Sequence, residues 1–253
     1  AGLAMPRNGM RTVADWDEDP VTMAVESARG LMGDGLGAVR FASTSAYFSD
    51  RSQAGIILDY LALPRSVRTS DAANSRRAGT GALLDALLSG GEELVMAAEK
   101  RVTQAGSAAQ LSYGDGAAAV RTGAEGAARL IGHASISHDL VDRYVSRDHP
   151  YPYFYEERFI RDVAVPGIFV PAIRAACEAA GIEPGAITHA ACAEPVSGCW
   201  RAAAKKLGIT APNHCERLAD EVGDLGTAQA LYGLGLACAA AGAGDIVLLV
   251  GFG

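Results

Sequence analysis

The chain has 253 residues, of which 49% are hydrophobic and 20% charged, and its formal net charge at pH 7 is −7. This length and composition are typical of a soluble globular protein with a large core. The negative balance argues against nucleic-acid binding as a main role, because a surface that follows phosphates needs clustered basic residues.

Hydrophobic periodicity and turn residues predict alternating helices and strands along the whole chain. The first half is predicted to contain helices over 20–29, 53–61 and 76–88 and strands over 38–43, 67–72, 94–98 and 117–120. The second half is predicted to contain strands over 130–137, 187–191 and 246–250, helices over 166–180 and 197–207, and a long Ala-rich helix before the last strand. The alternation predicts an α/β fold with a largely parallel sheet.

A segment over 139–161 interrupts this alternation with a group of aromatic residues. They are Tyr144, Tyr151, Tyr153, Phe154, Tyr155 and Phe159. An inserted segment of this kind is typical of a lid or a subunit contact. We therefore divide the chain into an N-terminal half (1–138), an aromatic-rich insertion (139–165) and a C-terminal half (166–253).

The two halves share a short pattern. Gly79-Thr80 and Gly226-Thr227 each open an Ala/Leu-rich helix that runs on to an apolar strand. This repetition fits a duplicated α/β sandwich with pseudo-two-fold symmetry, in which two helix starts face one pocket.

The cysteines bear on the compartment and on metal binding. There are five, at 177, 192, 199, 215 and 238, and no pair has C-x-x-C spacing. This pattern argues against a disulfide framework and a zinc knuckle, and the histidines lack metal-ligand spacing. Residues 1–19 contain no apolar signal segment, and the longest apolar run (233–244) is too short to span a bilayer. We expect a cytoplasmic protein with no metal site and no membrane association.

The segment 70–84 is the most informative part of the chain. A predicted strand enters a turn of small residues and then an Ala/Leu helix. Enzymes use this layout to place a nucleophile at a helix N-terminus, where backbone N–H groups and the helix dipole stabilise negative charge.

Several stretches, taken in order and spacing, resemble the thiolase superfamily, in particular hydroxymethylglutaryl-CoA synthases and ketoacyl-acyl-carrier-protein synthase III. The matching stretches are 17–29, 36–39, 61–64, Ala78-Gly79-Thr80, 204–208 and Gly251-Phe252-Gly253. The resemblance implies a layered α-β-α-β-α sandwich. It also implies a first strand before Ala1 and a glycine-rich turn and strand after Gly253, so we expect the C-terminal half to be truncated.

The resemblance also implies positions for four catalytic groups, and all four are changed. The place of the acyl-accepting cysteine holds Arg76, and that of the acid/base glutamate holds Thr44. The place of the histidine holds Ala193, and that of the asparagine holds Asp224. A shift of one residue would offer Ser75 as a weak nucleophile instead.

The substituted positions allow alternatives. Arg76 or Arg77 binds a carboxylate or thioester oxygen, or Arg76 fills the vacated pocket and pairs with an acid such as Asp224. Asp224 is a general base or a structural partner of Arg76. Cys192 and Glu194 flank the histidine place and are candidates for a displaced nucleophile and acid, although a packing role for the cysteine is favoured.

Further residues are candidates for binding the ligand. Arg201, Lys205 and Lys206 are candidates for the CoA phosphates, and a solvated helix end is the alternative. Arg77 and Gly253 are further candidates for binding the CoA thioester.

The resemblance implies a CoA thioester as substrate or ligand and no tightly bound cofactor. Two functions remain open. One is carbon–carbon bond making or breaking, of aldol, retro-aldol or Claisen type, without the usual cysteine. The other is a catalytically silent subunit that binds acyl-CoA or supports an active partner. The family further implies a homodimer, and a zinc-ribbon/OB-fold module as partner or fused domain.

Overall fold

The computed structural model describes residues 9–253. Helices in this range are α1 (Pro20–Ala28), α2 (Gln53–Tyr60), α3 (Ala78–Ser89), α4 (Ala108–Ser112), α5 (Glu157–Ala164), α6 (Val170–Ala180), α7 (Cys199–Leu207), α8 (His214–Glu221) and α9 (Gln229–Ala240). Strands are β1 (Ala38–Ala42), β2 (Arg68–Ala72), β3 (Glu93–Glu99), β4 (Gly116–Thr122), β5 (Arg143–Tyr144), β6 (Tyr153–Phe154), β7 (His189–Cys192) and β8 (Val247–Val250).

The strands form one mixed sheet and two pairs. The sheet has the order β2-β1-β3-β4, with β1 parallel to β2 and β3 and with β4 antiparallel to β3. In the C-terminal half β7 and β8 pair in parallel, and β5 and β6 form a short antiparallel hairpin in the insertion.

The helices complete a five-layer arrangement. The first layer, α1 and α2, packs on one face of the four-stranded sheet, and α3 packs on the other. Helix α9 contacts α3, β4 and the β7–β8 pair, so α3 and α9 form the middle layer. Beyond β7–β8, the run from α5 to α7 encloses a core around Phe169, Ile173 and Trp200. The predicted α-β-α-β-α sandwich is confirmed.

The starts of the two middle-layer helices, which the repeated Gly-Thr pattern predicts to face one pocket, are in direct contact. Gly79 lies so close to the loop before α9 that a Cβ atom there would come 2.3 Å from the carbonyl oxygen of Thr227. Only a residue without a side chain allows this approach. Gly79 therefore fixes how the two halves meet.

Local capping explains why the early elements form where the sequence predicts them. Asp19 caps α1 by accepting from the Thr22 backbone N–H, while the Thr22 hydroxyl oxygen accepts from the Asp19 N–H. Ser52 caps α2 by accepting from the Gly55 N–H. Such reciprocal bonds satisfy N–H groups that a helix start leaves without partners.

The structure corrects two predicted elements. Residues 130–137 form no strand, since the segment runs without a hydrogen-bonded neighbour strand. The helix predicted from Pro166 starts nine residues earlier, at Glu157, and continues through a π-helical turn (Val165–Phe169) to Ala180. Pro166 resembles a helix start in sequence, but here the wider turn accommodates it.

The continuous helix Glu157–Ala180 has the length and apolar composition that could cross a membrane, although only 28% of its most apolar window is buried. Its buried side chains, including Ile160, Phe169 and Ile173, belong to the core of the C-terminal half. A core helix of a soluble protein can have the same length and apolar composition as a membrane-spanning helix.

Candidate functional site

Five charged residues gather where four segments meet. The segments are the turn between β2 and α3 (residues 73–77, which we call the elbow), the residues that follow β3, the insertion, and the loop before α9. We call Arg76, Arg101, Arg143, Asp142 and Asp224 the arginine–aspartate cluster. Arg76 pairs with Asp142, and both side chains are largely buried. Arg101 and Arg143 bind the two carboxylate oxygens of Asp224, at 3.2 Å from Oδ1 and 2.8 Å from Oδ2. Arg101 also donates to the Asp224 carbonyl oxygen.

Asp224 is held in place by its backbone as well as by the arginines. Its N–H donates to the Ser112 carbonyl (2.7 Å) and its carbonyl accepts from Gly114 N–H (3.0 Å). Gly114 permits this approach, because a Cβ there would lie 1.9 Å from the Val222 carbonyl oxygen. The Gly226 N–H donates to Asp224 Oδ1 at 2.7 Å. The loop therefore presents the carboxylate in a fixed orientation.

The charges around Asp224 determine its ionisation. Burial would raise its pKa, but Arg101, Arg143 and Arg76 and the Gly226 N–H outweigh burial and hold the pKa far below the usual range. The carboxylate is thus ionised and its oxygens already accept strong hydrogen bonds. A group in this state is a poor proton acceptor, because a general base works best with a pKa near the operating pH.

Arg76 occupies the elbow itself. Burial lowers its pKa, as does the charge of Arg143, while Asp142 and Asp224 oppose the change. The sequence-based pairing of Arg76 with Asp224 is therefore only partly right: Asp224 lies near enough to affect its charge, but the ion pair is with Asp142 from the insertion.

Tyr113 forms an aromatic wall of the cluster. The guanidinium carbon of Arg101 lies 3.7 Å from its ring centroid and that of Arg143 lies 5.0 Å from it. Burial raises the pKa of Tyr113, against the effect of Arg143 and Arg101. The electrostatic attraction between a guanidinium group and an aromatic ring face offsets part of the free-energy cost of removing the guanidinium group from water.

Glu99 fixes the adjoining part of the site. Its fully buried carboxylate accepts from the Thr44 N–H and hydroxyl, at 3.0 and 2.9 Å, and from the Thr227 hydroxyl at 2.9 Å. The Ser45 hydroxyl donates to its second oxygen at 2.6 Å. Thr44, at the expected glutamate position, therefore serves to join the N-terminal half to the loop of Thr227.

The remaining predicted nucleophiles lack the environment that their roles need. Ser75 Oγ accepts from Arg77 N–H at 3.1 Å, and no described base contacts it. Cys192 is fully buried, and burial raises its pKa well above its ordinary value. A buried, protonated thiol is a poor nucleophile, so the structure favours the packing role for Cys192.

Glu194 lies at the start of α7. Its carboxylate accepts from Gly198 N–H at 3.1 Å and from Trp200 N–H at 2.7 Å. Burial raises its pKa, and these two hydrogen bonds act in the opposite direction. This geometry assigns Glu194 to satisfying the helix start, a structural role.

The predicted binding residues are spread over the surface. Gly253 lies against the backbone nitrogens of Arg76 and Arg77, as expected for a residue beside the elbow. Arg201 and Lys205 line an open cavity of about 290 Å³ that does not include the cluster, and Lys206 is exposed nearby. The structure brings Arg76, Ser75, Asp224 and Gly253 into one region. Arg201, Lys205 and Lys206 on α7 lie outside this region, at or near the open cavity.

A second cavity, of about 230 Å³, lies between β8 and the segment 130–136. Its lining is mainly apolar and includes Arg77, Thr80 and Phe252, but no member of the arginine–aspartate cluster. Among residues 9–253, no group of three or more His, Cys, Asp or Glu side chains is arranged to hold a metal ion.

Sequence analysis missed Arg101, Asp142, Arg143 and Tyr113. Each pairs with a residue 66 to 123 positions away, or stacks on such a pair, so no local pattern reveals it. Two signals were present: Arg101 comes two residues after the end of a buried strand, and Asp142-Arg143 is a charged pair inside an aromatic-rich insertion.

Comparisons with known proteins bear on the fold. No protein-family model matches the chain. A hydroxymethylglutaryl-CoA synthase of Pyrobaculum neutrophilum is 27% identical over 256 residues, covering 96% of this chain and 73% of the relative. The crystal structure of 3-oxoacyl-[acyl-carrier-protein] synthase III from Aquifex aeolicus superimposes with a TM-score of 0.76 at 20% identity, covering 95% of this chain and 83% of that one.

The chain has the thiolase-like fold. A structure of HMG-CoA synthase complexed with CoA also matches, with a TM-score of 0.73 and 15% identity over 91% of this chain and 66% of that one. These likenesses extend across both halves of the chain.

Proposed function

We propose that this chain binds an acyl-CoA thioester without catalysing acyl transfer or carbon–carbon bond chemistry at the elbow. The observation that carries the proposal is the arginine–aspartate cluster, whose ion pairs involve Arg76 and Asp224, the residues that the sequence resemblance assigns to the cysteine and asparagine places. This is the silent-subunit alternative of the sequence analysis.

Covalent catalysis lacks a suitable nucleophile at this site. The elbow presents Arg76, which pairs with Asp142. Ser75 has no adjacent base within residues 9–253, and a serine hydroxyl is a weak nucleophile without one. The buried thiols of Cys199 and Cys215 have pKa values raised by burial to about 11 and about 12.

Noncovalent aldol or retro-aldol chemistry requires a base that can take a proton near neutral pH. Asp224 is the carboxylate at the expected position, and two arginines occupy its oxygens. Accepting a proton would leave those nearly buried guanidinium groups without their partner. The same geometry suits a rigid binding surface.

Binding of a CoA thioester is supported by the thiolase-like fold and by the relatives. The similar curated protein is named a hydroxymethylglutaryl-CoA synthase, and one structural neighbour is complexed with CoA. Exposed Arg77, Arg201, Lys205 and Lys206 provide positive charge for an anionic ligand, although the chain carries a net charge of −7. Weak, reversible binding rather than a resident cofactor is what such exposed cations support.

Calorimetric titration with CoA, acetyl-CoA and acetoacetyl-CoA tests the proposal, with the mixtures analysed for products. We expect saturable binding and no turnover in the wild type, and Asp224→Asn should weaken the fold and alter affinity but should produce no change in turnover. Turnover that Asp224→Asn abolishes would support the enzymatic alternative. Absence of any binding would remove acyl-CoA as the ligand.

We also propose a homodimer that forms along β2. This strand is an edge of the four-stranded sheet, and four of its five residues are exposed. An exposed edge strand offers unpaired backbone groups that a second copy can pair with. Light scattering should give twice the chain mass, and Thr69→Pro, at a position of β2 whose N–H points away from β1, should shift the protein to monomer. A wild type that is monomeric at micromolar concentration would contradict this.

A cytoplasmic location and a zinc-ribbon/OB-fold partner or fused module complete the proposal. The module would present the CoA thioester to the subunit that we propose to bind it. Co-purification of such a module with the tagged full-length protein would support it. A full-length protein that neither contains nor binds the module would remove this part.

A further inference from the structure

Two buried donor groups in the arginine–aspartate cluster have no partner. They are Nε of Arg101 and Nη2 of Arg143, and neither has a hydrogen-bond acceptor among the described residues. The two side chains are 9% and 10% exposed. Buried polar atoms in folded proteins are nearly always paired, so two unpaired donors in one cluster call for an explanation.

The two donors belong to arginines that already share one anchor. Both guanidinium groups bind Asp224, and both lie over the ring of Tyr113. The third buried side-chain atom without a partner is an acceptor, Gln53 Oε1, on α2. Only the cluster therefore combines unpaired donors with positive charge in the described chain.

Neighbouring carboxylates do not supply the missing acceptor. Asp142 is paired with Arg76, and Asp224 uses its two oxygens on other nitrogen atoms of the same arginines. Glu99 binds threonine and serine donors and forms no ion pair with the cluster. Three arginines thus face two aspartates within the cluster.

Solvent reaches the Asp224 edge of the cluster, whereas the two unpaired donor atoms lie behind it and are themselves shielded. The Asp224 side chain is 32% exposed, whereas the arginines that bind it are about nine-tenths buried. An entering group would meet the carboxylate edge first and the guanidinium groups behind it, so it must be small. Negative charge on the entering group would be repelled by Asp224 and attracted by three arginines.

We infer that the cluster is a subsite for the carboxylate at the distal end of an acyl-CoA thioester. This rests on the proposed binding of acyl-CoA. Planar guanidinium N–H groups match the two oxygens of a carboxylate, and charge-assisted hydrogen bonds of this kind are strong. A neutral acyl chain would leave both donors unpaired. The sequence-based expectation that Arg76 or Arg77 binds a carboxylate is thereby extended to Arg101 and Arg143.

Calorimetry with succinyl-CoA and butyryl-CoA tests the inference, because both acyl groups have four carbons and only the first ends in a carboxylate. We expect succinyl-CoA to bind about tenfold more tightly, the value for one charge-assisted hydrogen bond. Arg143→Lys keeps a positive charge toward Asp224 but removes Nη2. The ratio of the affinity for succinyl-CoA to that for butyryl-CoA should therefore fall toward one. Arg147→Lys, an exposed arginine of the same insertion, should keep the ratio.

Each result separates the subsite from the proposed function. Equal affinity for succinyl-CoA and butyryl-CoA would overturn the subsite and leave acyl-CoA binding intact. Failure of both thioesters and of CoA itself would overturn the proposed function. Free CoA binding as tightly as succinyl-CoA would show that the CoA moiety alone sets the affinity, against the inference. Free succinate binding as tightly as succinyl-CoA would show that the site takes a carboxylate that is not part of an acyl-CoA, against the inference.

Discussion

Replacement of Asp224 by asparagine should destabilise the fold by a predictable amount. The side chain forms ion pairs with Arg101 and Arg143, whose guanidinium groups are about nine-tenths buried. Removing one partner of a buried pair costs roughly 3–5 kcal/mol. Because Asp224 is 32% exposed and water can replace part of the interaction, we expect the lower end, about 3 kcal/mol.

The same substitution should change the pH dependence of stability. The arginines hold the pKa of Asp224 well below its ordinary value of 3.8, so its contribution is present above that value and is lost as the pH falls below it. At pH 3 the unfolded chain would protonate this group while the folded chain keeps it ionised. The difference between wild type and Asp224→Asn should therefore be smaller at pH 3 than at pH 7 by about 1 kcal/mol.

Urea unfolding followed by circular dichroism at pH 7 and pH 3 measures both effects. Asp148→Asn, at an exposed position of the same insertion, is the matched control and should change stability by less than about 0.5 kcal/mol. A loss of less than about 1 kcal/mol for Asp224→Asn at pH 7 would refute the role of the ion pairs, since that is the range of exposed pairs. A difference that grows at pH 3 would refute the assigned ionisation.

Three further predictions follow from close packing and burial. Gly79→Ala should lower the free energy of unfolding by about 3 kcal/mol in thermal or urea unfolding, because its Cβ would meet a backbone oxygen. Gly81→Ala on the same helix has open space around it, so it should be neutral or stabilising by up to about 1 kcal/mol. Equal effects of the two substitutions would contradict the contact at Gly79. Glu99→Gln should cost about 1–3 kcal/mol of unfolding free energy, because an amide supplies one acceptor oxygen in place of two; Glu92→Gln, at an exposed surface ion pair, is the control and should cost less than about 1 kcal/mol. Alkylation of the native protein at pH 8, followed by peptide mass spectrometry, should modify Cys238 before the four buried thiols; early modification of Cys192 would restore it as a candidate nucleophile.

The sequence predicted most of the fold because its signals are local. Caps such as Asp19 and Ser52, and apolar runs such as 94–98, depend on residues within a few positions of one another. The failures have non-local causes. Residues 130–137 have the composition of a strand but lack a neighbouring strand, and Pro166 lies in a wide turn that only the continued helix makes possible.

The site was predictable only in its framework. The elbow and the region of Asp224 follow from the order of motifs along the chain, and the change at four catalytic places stays a prediction from the sequence. The partners of Arg76 and Asp224 do not, because Asp142 and Arg143 come from the insertion and Arg101 from the end of β3. Ion pairs between distant segments depend on the folded geometry, and the sequence contains no periodicity that records them.

The most direct test of acyl-CoA binding without catalysis is to incubate the full-length protein with acetyl-CoA at saturating concentration. Intact-protein mass spectrometry then detects any acetyl adduct, and chromatography follows the CoA species. We expect unchanged acetyl-CoA and a protein mass without an acetyl adduct. An adduct on Ser75, on Cys192 or on any other residue of the elbow region, or formation of a new acyl-CoA species, would contradict this expectation.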